Sequence, residues 1–423
     1  MKWLWPRKWE FVLPSVYILA KRKAEFLKAR SIICYHQFFF SKAQRALGKV
    51  IAELMQELIG DSCFNCRSLD EVVCRLLKFN DFIDEFWEEN KALDVAVQIY
   101  TLADDLAGFF PSPPQSVMVR AVDWILERTL EKKNRPLHEI KVSVAMKATK
   151  PGFWGYRSTE YHHKAFHMEF FKPLLLHVLE SAVCDVRGSC KRQIRGGPIG
   201  APVSPPWLIL VVSLREHLWL QALKSNRVDR LHKWEVIRYV DNRYMVALRV
   251  AGHTEVPIEL FDTKFYGQTV VLEPESRDVL VGTELLIPSQ QFSTLLDRPR
   301  IQCRYVVQGY PESYSPGDSI STNHQWRYRS PLSGASQSNL MAAFTARLHL
   351  ARRASFPPEK CQQSIARLCT VYLMLQYPCR WITQALQRFL KKHKCVDELW
   401  KQVICKAISN GDITTVHRLG RDQ

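Results

Sequence analysis

The chain has 423 residues, 47% of them hydrophobic, with a formal charge of +17 and twelve cysteines. That length asks for about two or three packed units, and twelve thiols in so long a chain exclude the dense disulfide framework of a small secreted domain, which points to a reduced, intracellular protein. Residues 1–49 hold eleven Lys or Arg against two acids and residues 326–423 hold sixteen against five, so the middle is net acidic by three.

Basic ends around a carboxylate-bearing centre suit a protein that grips a phosphate backbone. Met1 to Trp9 alternates Trp with Lys and Arg and offers neither a signal-peptide core nor a cleavage site. From Val12 to Val50 the pattern predicts a strand, a basic turn and a helix. Cys63 and Cys66 have metal-ligand spacing, but no second pair follows at finger-like spacing, so they read as buried thiols. Leu76, Phe79, Ile83 and Phe86 return at helical steps, and a short apolar strand from Val95 to Leu102 ends in two carboxylates, Asp104 and Asp105. PSPP at 111–114 stops that strand and a helix begins at Gln115. Residues 134–170 show no clean period and read as an insertion of open shape. Leu174 to Val183 is predicted helical, with a turn at Arg187 to Ser189 and a Gly and Pro cluster, RQIRGGPIGAPVSPP, behind it. The longest apolar run, Trp207 to Leu214, is far short of a bilayer span, so no membrane crossing is expected. WEVIRYVDNRYMVALRV alternates as a hairpin with Asp241 and Asn242 at its tip, and TVVLE and DVLVGTELLI are expected to extend its sheet. From Ser338 the periodicity is helical again, through Leu340, Phe344 and Leu348 to Ile382, Leu386 and Phe389, ahead of a C-terminal tail.

Two carboxylates on separate strand tips are what a nucleotidyl transferase needs. Hard cations such as Mg²⁺ prefer oxygen ligands, and transfer to a primer hydroxyl uses a pair of them about 4 Å apart. Taken alone, an Asp pair at a strand end is an ordinary turn or cap. Three longer motifs raise its meaning. DDLAGFFPSPP resembles the first polymerase motif of reverse transcriptases, especially those of Penelope-like retroelements, in which an Asp is followed at a fixed step by an aromatic residue and a short Pro turn. QIRGGPIGAPVSP is similar to the second, with Gln193, Gly196, Gly200, Pro202, Ser204 and Pro205 matching and Ile199 in place of the usual Met. RYVDN resembles the aromatic-x-Asp-Asp turn: Tyr239 and Asp241 match, and Asn242 stands where the family carries a second Asp.

The resemblance covers residues 12 to about 390 and leaves 134–170 unmatched. It implies an α+β right-hand polymerase fold: fingers in 1–94, an antiparallel-sheet palm flanked by helices in 95–325, and a helical thumb in 326–423. It implies Asp105 and Asp241 as catalytic ligands of Mg²⁺ or Mn²⁺, and Phe110 as the gate that favours deoxynucleoside triphosphates. Gln193 and Gly196 would position base and template, while Lys28 and Arg30, with Lys23 a weaker candidate, would neutralise the triphosphate; Ser31 stands where the family carries Pro. Ser204, Arg347, Arg352 and Arg353 would touch nucleic acid, and VLVGTELLI is similar to the strand pair that grips a primer. The expected partners are an RNA template and a DNA primer. No endonuclease or RNase H segment is identifiable, and the Asn242 departure keeps a second expectation open: a decayed reverse-transcriptase-like protein that only binds nucleic acid.

Overall fold

The computed structural model describes residues 13–21, 28–35, 38–60, 62–90, 97–145, 153–154, 163–198, 200–225, 234–250, 253–254, 256–274, 279–280, 283–286, 300–307, 309–311, 328, 330–394 and 397–421. The chain opens with an antiparallel hairpin, β1 (Ser15–Lys21) and β2 (Lys28–Cys34), paired in continuous register from Ser15↔Cys34 to Lys21↔Lys28. Helix α1 (Ser41–Leu58) buries Ala43, Leu47, Val50 and Leu54, which recur at three- and four-residue steps, and α2 (Leu69–Asn90) buries Leu76, Phe79 and Ile83 in the same way. Strand β3 (Val97–Ala107) runs through both Asp104 and Asp105 instead of ending before them. The turn at PSPP releases the chain into α3 (Gln115–Lys133), which ends on Asn134 in the left-handed conformation, its amide donating to the Leu130 carbonyl.

The stretch 134–170 has a form the sequence did not disclose. It contributes β4 (Lys141–Ala145), β5 (Phe153–Trp154) and β6 (His163–His167), an antiparallel sheet ordered β5-β4-β6. Its period is hidden because β4 is buried on both faces from Val142 to Ala145, so apolar and polar residues do not alternate. Helix α4 (Phe171–Glu180) stops short of Val183, which starts β7 (Val183–Val186); β7 turns into β8 (Ser189–Arg192), and both join β1 and β2 in a four-stranded sheet ordered β2-β1-β7-β8. Helix α5 (Ser204–Ser225) is apolar nearly all round and packs against α1 and α3.

Strands β9 (Trp234–Tyr239) and β10 (Asn242–Val250) form the expected hairpin, with Asn242 opposite Tyr239, so the two turn residues are Val240 and Asp241 and Asn242 already belongs to β10. With β11 (His253–Thr254) and β12 (Val271–Pro274) they make a five-stranded sheet ordered β11-β10-β3-β12, β9 pairing with β10. TVVLE therefore extends this sheet and DVLVGTELLI does not: its strands β13 (Val279–Leu280) and β14 (Thr283–Leu286) pair with β15 (Gln302–Tyr305) in a separate sheet. Among the described residues five helices follow: α6 (Gln337–Arg353), α7 (Pro358–Met374), α8 (Cys379–His393), α9 (Glu398–Ser409) and α10 (Ile413–Leu419).

The molecule divides into two units. Unit one comprises 1–65, 105–232 and 257–273; unit two comprises 66–104, 233–256 and 274–423. Unit two has two apolar clusters. One joins Val72, Leu76, Phe79 and Ile83 of α2 to Ile237, Tyr244, Val246 and Leu248 of the β9–β10 hairpin. The other is the helical core built on Phe344 and Leu348 of α6, Ile365, Leu368 and Tyr372 of α7, and Leu386 and Phe389 of α8. A bidentate Arg353–Asp70 pair, 2.7 and 2.6 Å, ties the end of α6 to the first turn of α2.

Candidate active site

In unit one, two motifs about eighty residues apart in sequence are sewn together. The Gly197 amide donates to the Phe110 carbonyl at 3.0 Å, and the Gly196 amide to the Pro113 carbonyl at 2.8 Å. Gln115 Nε2 donates to the Gln193 carbonyl at 3.2 Å, and Pro114 and Arg195 form an isolated antiparallel bridge. Gly196 is required here, because it sits at φ +66° and any Cβ would collide with the Phe110 carbonyl and the Pro111 backbone. Gly200 is in the same position toward β2: φ is +108° and a Cβ would run into the Ile33 carbonyl.

Side chains lock the loop from inside. Gln193 Nε2 donates to the carbonyls of Arg195 and Gly197, at 2.7 and 3.1 Å, folding the loop around its own amide. Ser204 is fully buried and its hydroxyl donates to the Pro198 carbonyl at 2.8 Å, closing the loop onto the first turn of α5. What Ser204 does in this structure is to hold the loop, not to present a hydroxyl at the surface. Phe109 is buried, while Phe110 remains half-buried with its ring edge-on to Phe109, centroids 5.1 Å apart. Lys28 and Arg30 lie on β2, opposite Lys21 and Leu19; their side chains, and residues Lys23 and Ile199 altogether, lie outside the described residues.

A cavity of about 320 Å³ lies between this loop, the hairpin and the start of α1, lined among others by Tyr17, Tyr35, Arg45 and Gly200. Burial pushes the Tyr35 hydroxyl well above the ordinary tyrosine range, with Cys184 adding to the effect, so it stays a neutral phenol there.

Asp241, the other expected carboxylate ligand, belongs to unit two. Asp241 is half-buried in the two-residue turn of the β9–β10 hairpin, directly after Val240, whose φ of +57° is strained for a β-branched residue. Arg238 Nη1 donates to the Val240 carbonyl at 2.9 Å and holds the turn from below. Its cross-strand partner Arg243 donates from Nε and Nη2 to one carboxylate oxygen of Asp104, at 3.0 and 2.6 Å, and both side chains of this pair are at most 4% exposed. Successive side chains of a strand point to opposite faces. Asp104 is therefore committed to the buried ion pair, and Asp105, half-buried in the next position, faces the other way.

Arg238 and Arg243 escaped the sequence reading. Cys63 and Cys66 are both buried thiols; burial lifts Cys66 to about 11, and it accepts from Arg75 at 3.9 Å. Among the described residues no group of three or more His, Cys, Asp or Glu side chains could hold a metal ion. No described helix is long and apolar enough to cross a membrane.

Of the arginines of α6, Arg347 is turned inward, its guanidinium 4.6 Å from the Tyr328 ring centroid and 3.1 Å from the Tyr372 hydroxyl. Arg353 is paired with Asp70, and Arg352 is exposed.

No protein-family model matches the chain, and no curated protein matches it. Solved structures do. Telomerase from Candida albicans, in complex with a fragment of telomeric RNA, matches with a TM-score of 0.50 at 11% identity, covering 99% of this chain and 62% of that one. Telomerase from Candida tropicalis without RNA matches with a TM-score of 0.48 at 11% identity, over 98% of this chain and 64% of that one. This chain thus spans less than two thirds of the telomerase chains it matches. At such identity the likeness is one of fold alone.

Proposed function

We propose that the chain is an RNA-directed DNA polymerase core, a reverse transcriptase of retroelement type similar to the Penelope-like enzymes, with 1–94 acting as fingers, 95–325 as palm and 326–423 as thumb. The observation that carries this reading is the joining of DDLAGFFPSPP to QIRGGPIGAPVSP through the Gly196 and Gly197 amides. A gate residue and a base-positioning loop must share one surface to act on one nucleotide, and the hydrogen bonds that join Phe110 to the Gly196–Gly197 loop support that reading.

The donor set fits hard divalent cations. Asp105 and Asp241 offer carboxylate oxygens, and Mg²⁺ is commonly held by one or two carboxylates together with substrate phosphates. Asp104 is not a candidate, because Arg243 holds it. When bound, a pair of Mg²⁺ or Mn²⁺ ions supplies activation of the primer 3′-hydroxyl and charge stabilisation of the departing pyrophosphate. The protein's own contribution is alignment. The glycine loop brings backbone close to the base, the half-buried Phe110 ring excludes a ribose 2′-hydroxyl, and Lys28 and Arg30 are the candidates to neutralise a triphosphate.

Asn242 motivates a second reading, in which the fold binds RNA and DNA but no longer copies. Asn keeps the size and one carbonyl oxygen of Asp but loses the charge. Primer extension on a primed RNA template with Mg²⁺ or Mn²⁺ separates the two: extension that Asp105→Asn or Asp241→Asn reduces by at least about a hundredfold supports the polymerase, whereas retarded migration of the duplex with no added nucleotide supports the binder. Phe110→Ala is expected to raise ribonucleotide incorporation relative to deoxynucleotide, and an unchanged sugar preference would remove the gate assignment.

A further inference from the structure

Helices α6 and α8 pack on each other and contain no Asp or Glu, yet between them they carry Arg347, Arg352, Arg353, Arg380, Arg388, Lys391 and Lys392. Arg353 is neutralised by Asp70 and Arg347 is occupied with tyrosines. Arg352 and Lys392 are exposed, and neither has an ion pair among the described residues. Between them lies a histidine pair. His393, the last residue of α8, has its Nε2 2.9 Å from Nδ1 of His349 on α6; the rings are steeply inclined at 4.9 Å between centroids, and both lean on Phe389.

Burial and then the charges of Lys392 and Arg352 hold His349 below the ordinary imidazole range, and burial, Arg352, His349 and Lys392 do the same to His393. The charges that act on the rings are therefore all positive. Among the described residues, α7, packed on α6 and α8, α9, packed on α8, and α2 and β15, packed on α6, contribute none that acts on either ring. At neutral pH the pair is neutral, one ring donating to the other. A phosphate oxygen arriving beside Arg352 and Lys392 would offset their charge, raise both imidazoles and make the second proton favourable.

We propose that His349, Arg352, Lys392 and His393 form a site for a backbone phosphate of a nucleic-acid duplex, and that filling it draws a proton onto the imidazole pair. The proposal rests on the reading of this chain as a polymerase that holds a duplex. The bland role for His393, favourable placement at the C-terminal end of a helix dipole, predicts no link between duplex binding and protons. With binding linked to protonation, affinity rises as pH falls through the imidazole value of the complex and levels off below that of the free protein.

The experiment is fluorescence anisotropy of a labelled RNA–DNA duplex against the full chain at constant salt, from about pH 8 to about pH 6. Wild type is expected to tighten roughly fivefold or more, and His349→Gln/His393→Gln by less than about twofold. Calorimetry in two buffers of different ionisation enthalpy should show proton uptake for wild type and little for that variant. Arg352→Gln/Lys392→Gln should weaken binding at both pH values and shrink the uptake, because the free imidazoles then sit higher. Equal pH slopes for wild type and the histidine variant, with binding intact, would overturn the phosphate site while leaving the polymerase reading standing. If wild type binds no duplex at either pH, the polymerase reading falls and the site with it.

Discussion

Val240 holds a positive φ in the residue before Asp241, a conformation that costs a β-branched side chain on the order of 1–3 kcal/mol. Such strain persists only where the surroundings impose it, and here Arg238 grips the Val240 carbonyl from a buried position. Val240→Gly should therefore leave stability unchanged or raise it by about 1 kcal/mol in urea unfolding, while reducing primer extension because the turn gains other conformations. Loss of stability with full activity would show that the strain has no bearing on the site. At this scale the sequence spoke through local motifs: Gln193, Gly196 and Phe110 were singled out by the family resemblance of the segments that carry them. It was silent on Arg238, Arg243 and the true partner of Asp104, because burial and pairing across strands are properties of the folded chain.

Helices announced themselves better than sheets. The break at PSPP and the apolar period of α3 marked its limits, and α6, α7 and α8 follow the helical steps of Leu340, Phe344 and Leu348, of Ile365, Leu368 and Tyr372, and of Ile382, Leu386 and Phe389. Sheet partners could not be read, because pairing depends on distant residues; DVLVGTELLI looked like an extension of the β10 sheet and belongs to another. Strands β3 and β10, neighbours in the sheet, are also joined by one ion pair taken out of water. Removing Arg243 alone, as Arg243→Met, leaves the Asp104 charge buried and should cost about 3–5 kcal/mol, whereas Asp104→Leu/Arg243→Met should cost far less, since buried pairs are often replaceable by apolar residues of like volume. A double-mutant cycle by chemical denaturation measures this. If the double variant is as unstable as the single one, the pair contributes more than charge balance.

Across the whole molecule, charge and topology are the dominant facts. A chain at +17, with its positive charge concentrated toward its ends, should bind duplex in a strongly salt-dependent way. With about six phosphate contacts, affinity should drop by roughly a thousandfold between about 50 and 200 mM salt, and a flat response in anisotropy titrations would deny the phosphate-gripping role.

The two units share the chain in alternation: it passes from one to the other after residues 65, 104, 232, 256 and 273. During synthesis, unit one cannot close until residue 273 has left the ribosome, and unit two waits for helices beyond residue 400. The nascent protein therefore carries exposed apolar strands for most of its translation, and it will depend on chaperones more than a chain of the same length whose domains emerge one after the other.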